Sequence, residues 1–250
     1  MPTALAPGSR LRTTAFRLRA GQWVADPPGE IAPTVPGGAQ RPFGFAVRGR
    51  ACVAYDALPA DRTRSPVITV SCFFQGRWRR TGPVLDPTGG ARVPGIAFGV
   101  DGAAAIGDEI HVGVDRFAGR AGDWRVHALR GQEWRPTSVA GEDPGWNEQG
   151  SLFALGRELW AIRFDQRPNA GSLATRVVVL RLDRRTGRTA QVGQPLRRSS
   201  RFSVPLYYGL ARLDGRTYAM ATVPNPRTRR DEVRVFVLRP LRAGARAPGG

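Results

Sequence analysis

Short apolar runs alternate with brief polar breaks along almost the whole chain. Four segments share one plan: an apolar strand, a Gly-containing dipeptide, a second apolar strand. They are "FGFAVRGRACVAYD" (43–56), "GAAAIGDEIHVGVD" (102–115), "SLFALGRELWAIRFD" (151–165) and "YYGLARLDGRTYAMATV" (207–223). Their central dipeptides are Arg48-Gly49, Gly107-Asp108, Gly156-Arg157 and Asp214-Gly215. Two-residue hairpin turns need positive φ, which Gly supplies without a steric penalty. Each segment therefore predicts a tight hairpin of two strands, A and B.

A polar loop follows each hairpin, then a third apolar strand, C. These are "VITVSCFF" (67–74), "WRVHAL" (124–129), "RVVVLRL" (176–182) and "EVRVFVL" (232–238). The first two run on through a turn with Gly and Trp into a strand D, in "CFFQGRWRRTG" (72–82) and "HALRGQEWRPTS" (127–138). "DRRTGRTAQVG" (183–193) is a weaker version. "AFRLRAGQWVAD" (15–26) matches a C–D hairpin with no A or B before it.

The repeating unit is a four-stranded meander of about fifty residues. A lone meander cannot cover both of its faces, but meanders stacked around an axis shield one another. This pattern resembles the β-propeller repeat proteins, kelch-like or sialidase-like, over Ala15 to Leu238. The kelch Gly-Gly doublet is missing, and of the sialidase Ser-x-Asp-x-Gly-x-Thr-Trp box only a loose echo stands in "RLDRRTGRTA" (181–190). The resemblance implies an all-β fold, a propeller of four to five four-stranded antiparallel blades, as a single domain over 1–250 with disordered tails at 1–14 and 243–250. The N-terminal hairpin would close the ring by serving the last unit, whose tail offers no good strand D. A portion of a larger ring is the other option.

Charge adds a partner class. The net charge is +18, and all 38 basic residues are Arg. Codon bias accounts for the missing Lys, not for the shortage of acids. Between Arg176 and Arg246 the only acids are Asp183, Asp214, Asp231 and Glu232, so most of the excess falls there. Such a field draws polyanions. No apolar run approaches the roughly 18 residues of a membrane helix. The start "MPTALAPGSRLR" shows no signal-peptide core, which leaves a cytoplasmic protein or a secreted one with a missing leader. No phosphate loop, nucleophile triad or zinc spacing is present, so neither cofactor nor metal is expected.

Two pairs test the register. Cys52 and Cys72 are symmetric about residue 62 and should face each other across strands B and C, as a disulfide or as two buried thiols. His111 and His127 are symmetric about Gly119 and read as a structural cross-strand pair.

The propeller resemblance also places ligands, on the face carrying the B–C loops and D–A links. The first reading is a non-catalytic binding module whose basic face holds an acidic glycan or another polyanion. Arg197, Arg198, Arg201, Arg227, Arg229 and Arg230 would grip the anion bidentately, and Trp146 would stack or anchor. Solvated loop arginines are the bland reading, and nucleic acid ranks below a glycan. The second reading is a glycoside hydrolase or sialidase-like enzyme. Asp56, Asp115 and Asp165 end three B strands, and paired carboxylates can cleave glycosides, with Tyr207 as a sialidase-type nucleophile. Asp at a strand end is also a common turn former. A third reading is a protein–protein scaffold.

Overall fold

The computed structural model describes residues 13–31, 35–59, 65–88, 96–118, 121–137, 147–169, 172–186, 188–200, 208–225, 227–228 and 231–238. These form strands and turns without helices, in five antiparallel sheets arranged as a five-bladed β-propeller. Blade one is β1 (Thr14–Arg19) and β2 (Gln22–Glu30). Blade two is β3 (Ala39–Val47), β4 (Arg50–Ala57), β5 (Val67–Phe74) and β6 (Arg77–Arg80). Blade three is β7 (Ile96–Ile106), β8 (Glu109–Ala118), β9 (Ala121–Arg130) and β10 (Glu133–Thr137). Blade four is β11 (Asn147–Leu155), β12 (Glu158–Asn169) and β13 (Ser172–Leu182), with an outer strand broken into β14 (Thr189–Gln191) and β15 (Leu196–Ser200). Blade five is β16 (Tyr208–Leu213), β17 (Arg216–Pro224) and β18 (Asp231–Leu238).

The four predicted A–B hairpins are present, closed at Val47↔Arg50, Ile106↔Glu109, Leu155↔Glu158 and Leu213↔Arg216. At Arg48-Gly49 and Asp214-Gly215 both turn residues have positive φ, the twist that suits a two-residue hairpin.

Period-two alternation gives each blade two faces, and consecutive blades share a core between them. On β4, Cys52 and Ala54 enter a core with Val100 and Val112 of blade three, while Val53, Tyr55 and Ala57 pack toward blade one. On β12, Leu159 and Ala161 pack with Trp124 and Val126 of blade three, while Trp160 and Ile162 pack toward Ala219 of blade five. One parallel bridge, Asn147↔Gly122, joins blades three and four.

Two expectations are corrected. Among the described residues β1 and β2 pair only with each other, so the N-terminal hairpin is a blade of its own and does not supply the outer strand of blade five. Ile31 N–H donates to Thr13 O at 2.9 Å across the open end of the hairpin, and Thr13 Oγ1 donates to Ala39 O of blade two at 3.0 Å. Second, His111 faces Ala128 and His127 faces Val112. The β8–β9 register is centred half a residue from Gly119, because Ala118 pairs with Ala121. A one-residue offset sends the two rings to opposite faces of the sheet. Of the expected N-terminal tail, Thr13 is bonded to Ile31 and Ala39 and Thr14 opens β1; residues 1–12 and the expected C-terminal tail lie outside the described residues.

Candidate carboxylate site

Two β-bulges build the site. In β3 the register shifts between Gln40 and Phe43, so Arg41 and Pro42 stand opposite the single residue Tyr55. Arg41 has a φ of 48°. In β7 the register shifts between Val100 and Gly102, and Asp101 is the extra residue. A bulge bends its strand and re-aims the unpaired side chain. Here two bulges on neighbouring inner strands aim a guanidinium and a carboxyl at one place.

Asp56, on β4, completes the blade-two half. Its Oδ2 accepts from Arg41 Nε at 2.5 Å, and its Oδ1 accepts from Val100 N–H at 2.9 Å. Val100 is the residue before Asp101, so Asp56 is tied directly to the β7 bulge. Gly99 makes room for the guanidinium: a Cβ there would lie 1.6 Å from Arg41 Cζ.

Asp101 and Asp115 form the blade-three half, joined by a side-chain hydrogen bond. Blade four steadies the bulge. Gly150 N–H donates to Asp101 Oδ2 at 2.8 Å, and Ser151 Oγ donates to Asp101 O at 3.0 Å. Asp56 and Asp115 are buried and Asp101 is half-buried. Among the described residues, Asp115 Oδ1 has no hydrogen-bond partner in its buried position.

Burial dominates the electrostatics. It raises the Asp101 carboxyl to about 6, against the pull of the Gly150 N–H, the Asp115 hydrogen bond and the Arg41 charge. Burial first, and then the neighbouring charge of Asp101, push Asp115 far above the usual carboxylate range. These opposed pulls favour one proton held between the two carboxyls near neutrality, as like charges placed side by side do. Burial also raises Asp56, although the Arg41 charge and the Val100 N–H oppose it. A partly exposed acid next to a protonated partner and a guanidinium can donate or accept a proton near neutrality. Among the described residues no three His, Cys, Asp or Glu side chains gather as metal ligands.

Of the residues anticipated from sequence, Asp56 and Asp115 come together here. Asp165 sits on β12 opposite Arg176, with its backbone alone described. Arg197 and Arg198 lie on β15, opposite Arg176 and Thr175, again with backbone alone described. Arg227 is exposed, and its N–H donates to Asn225 Oδ1 at 2.8 Å in a turn. Trp146, Arg201, Tyr207, Arg229 and Arg230 lie outside the described residues. Cys52 pairs with Cys72 across β4 and β5, and a disulfide joins them with Cα atoms 4.0 Å apart. Sequence reasoning missed Arg41 and Asp101. Their signals were the Pro after Arg41 and the Gly after Asp101, breakers set inside strand patterns, which mark bulges.

No family model matches the chain, and no curated protein matches it. Among solved structures it is similar to a Bombyx mori GH32 β-fructofuranosidase, at 14% identity and a TM-score of 0.42, over 82% of this chain and 63% of that one. It is similar to Bacteroides ovatus xyloglucan PUL GH43B, at 13% identity and a TM-score of 0.48, over 82% of this chain and 41% of that one. A third is an exo-1,5-α-L-arabinanase from a bovine ruminal metagenomic library, at 11% identity and a TM-score of 0.44, covering 85% of this chain and 78% of the other. The chain thus spans less than two thirds of the first two structures.

Proposed function

We propose that the chain is a glycan-cleaving propeller whose working acid is Asp101. The observation that carries this reading is the hydrogen-bonded Asp101–Asp115 pair set beside Asp56 by two bulges. Asp101 has the partial exposure and the raised affinity for a proton that a general acid needs. Asp115 acts as a positioning residue: protonated and buried, it hydrogen-bonds Asp101. Asp56, held by Arg41 and the Val100 N–H, supplies the second carboxylate of a glycosidase pair. Arg41 covers Asp56 and is 39% exposed, so its movement would open Asp56 to a sugar.

The test is hydrolysis of a panel of fructosides, xyloglucan, arabinan oligosaccharides and sialosides, followed by product detection. The reading expects cleavage of at least one, with a pH limb near 6 that disappears in Asp101→Asn. No cleavage of any panel member, together with salt-sensitive binding of an acidic glycan, would overturn it in favour of the non-catalytic basic-face module.

A further inference from the structure

A cavity of about 470 Å³ lies on the face of blade two that looks toward blade one. Tyr55 and Ala57 of β4 share this face with Thr69 and Ser71 of β5 and with Trp78 and Arg80 of β6, because directly opposed residues of an antiparallel sheet point the same way. Asp56, next to Tyr55 on β4, points to the other face. The cavity and the carboxylate site therefore lie on opposite sides of one blade.

One end of the cavity is pinned by the backbone. Gly37 N–H donates to Leu58 O and Leu58 N–H donates to Gly38 O, both at 3.0 Å. These bonds tie the link into β3 to the start of the loop after β4, and Pro36, Leu58 and Pro59 of the two segments line the cavity. The link comes this close because residue 37 is glycine: a Cβ there would stand 2.4 Å from Pro59 O. The walls are thus set by the fold itself, at a volume usual for small-molecule sites.

Most of the wall is apolar. Ile31, Val35, Val67 and Val84 line it, with Trp78 held edge-to-face against Phe73 at 5.5 Å between ring centroids. The polar part is a strip across the sheet. Tyr55, Thr69 and Ser71 are buried there, shut off from bulk water. Tyr55 OH and Ser71 Oγ lie 3.0 Å apart, and two hydroxyls that share one hydrogen bond leave one proton to give. Arg80 stands opposite Ser71. Its charge reaches the Tyr55 phenol, which burial raises while Ser71 and Arg80 draw it back. Among the described lining residues Arg80 is the one cation and none is acidic. The strip therefore carries a net positive charge with donors to spare, inside an otherwise apolar space.

We propose that this cavity binds a small apolar monocarboxylate, with its carboxylate on Arg80 and the Tyr55–Ser71 hydroxyls and its hydrocarbon body against Val35, Val67 and Trp78. One guanidinium matches one carboxylate in charge and in its paired donors. The apolar walls take up the rest of the molecule. A sugar would bring many hydroxyls against walls that offer them few partners.

Calorimetric titration of phenylbutyrate into the intact chain is the test, with phenylbutanol, phenylbutylamine, butyrate and maltotriose as controls. The expected result is saturable binding at millimolar concentration or below, about tenfold weaker for the alcohol and for butyrate, and weaker still for the amine and the trisaccharide. Arg80→Gln, at an exposed position, should weaken phenylbutyrate about tenfold and leave phenylbutanol unchanged. Val84→Glu sets a carboxylate at the 42% exposed rim and should weaken the acid by a similar factor. Arg79→Gln removes the neighbouring charge from the opposite face of β6 and should change nothing. Asp101→Asn should bind the probe like the unaltered chain, which keeps this site distinct from the proposed catalytic one. Equal binding of acid and alcohol, equal loss in the Arg79 and Arg80 variants, tighter binding of maltotriose, or no binding at millimolar acid would each overturn the inference.

Discussion

Asp56 with Arg41 and Glu158 with Arg212 are both close Arg–carboxylate contacts, at 2.5 and 2.6 Å. In Asp56 burial comes first and raises the carboxyl; in Glu158 the arginine hydrogen bond comes first and lowers it. Asp56 is fully buried at a blade junction, whereas Glu158 stands at the open rim of a groove between blades four and five. Access to water, rather than the partner, decides the sign. The interior cluster can therefore hold a proton at neutral pH, while the groove presents permanent charge. Only the first suits proton transfer.

The largest expected difference is in catalysis. Asp101→Asn should lower glycan cleavage by about 10²–10⁴-fold, the usual weight of a general acid, while Glu158→Gln should leave kcat unchanged. Equal effects of the two on steady-state rates would erase the contrast.

Acid unfolding comes next. Burial lowers His111 and His127 to about 4. Their folded values lie below the ordinary 6.5, so the stability they contribute is complete above that value and is lost as pH falls through 4. The raised Asp101 and Asp115 act in the opposite direction: their contribution is complete below the ordinary carboxylate range, and Asp101's is lost as pH rises through about 6. His127→Gln should flatten the acid limb by up to about 3 kcal/mol, read as urea midpoints between pH 4 and 6.5. An unchanged slope would show that the ring is neutral at no cost.

Gly99→Ala sharpens the interior half. The new methyl must displace the Arg41 guanidinium and strip Asp56 of its charged partner. A loss of about 1–3 kcal/mol in thermal or urea unfolding is expected, with Arg41's partial exposure keeping it moderate. The smallest effect belongs to the rim. Glu158→Gln should cost about 0.5 kcal/mol in the same assay, as exposed ion pairs do. A larger loss there than in Gly99→Ala would reverse the ranking of the two regions.

The repeat was readable because hairpin turns leave a mark at fixed places. Arg48-Gly49 and Asp214-Gly215 announce their turns by the φ they require, and apolar alternation supplies the strands on either side. Cys52 and Cys72 were placed in register by symmetry about one loop. The same symmetry argument failed for His111 and His127, because nothing in the composition of a loop tells an odd from an even number of residues at its tip. Asp56 and Asp115 could be marked as strand-ending acids. Their meeting with Asp101 and Arg41 could not, since it depends on bulges that shift side chains by one residue and on the approach of blades distant in sequence.

Trp124 carries a further consequence. Its indole lies where a Cβ on Gly113 or on Gly150 would stand, 2.8 and 2.7 Å from ring atoms. Counting back two residues from the strand-ending Asp, the position of Gly113 is Ala54 in blade two and Arg163 in blade four. Either side chain would collide with the ring if it stood at position 113 of β8 while β9 kept Trp124. The repeats share a plan, but strand by strand they are no longer interchangeable, because the ring on β9 requires a glycine on β8 and another on β11 of the next blade.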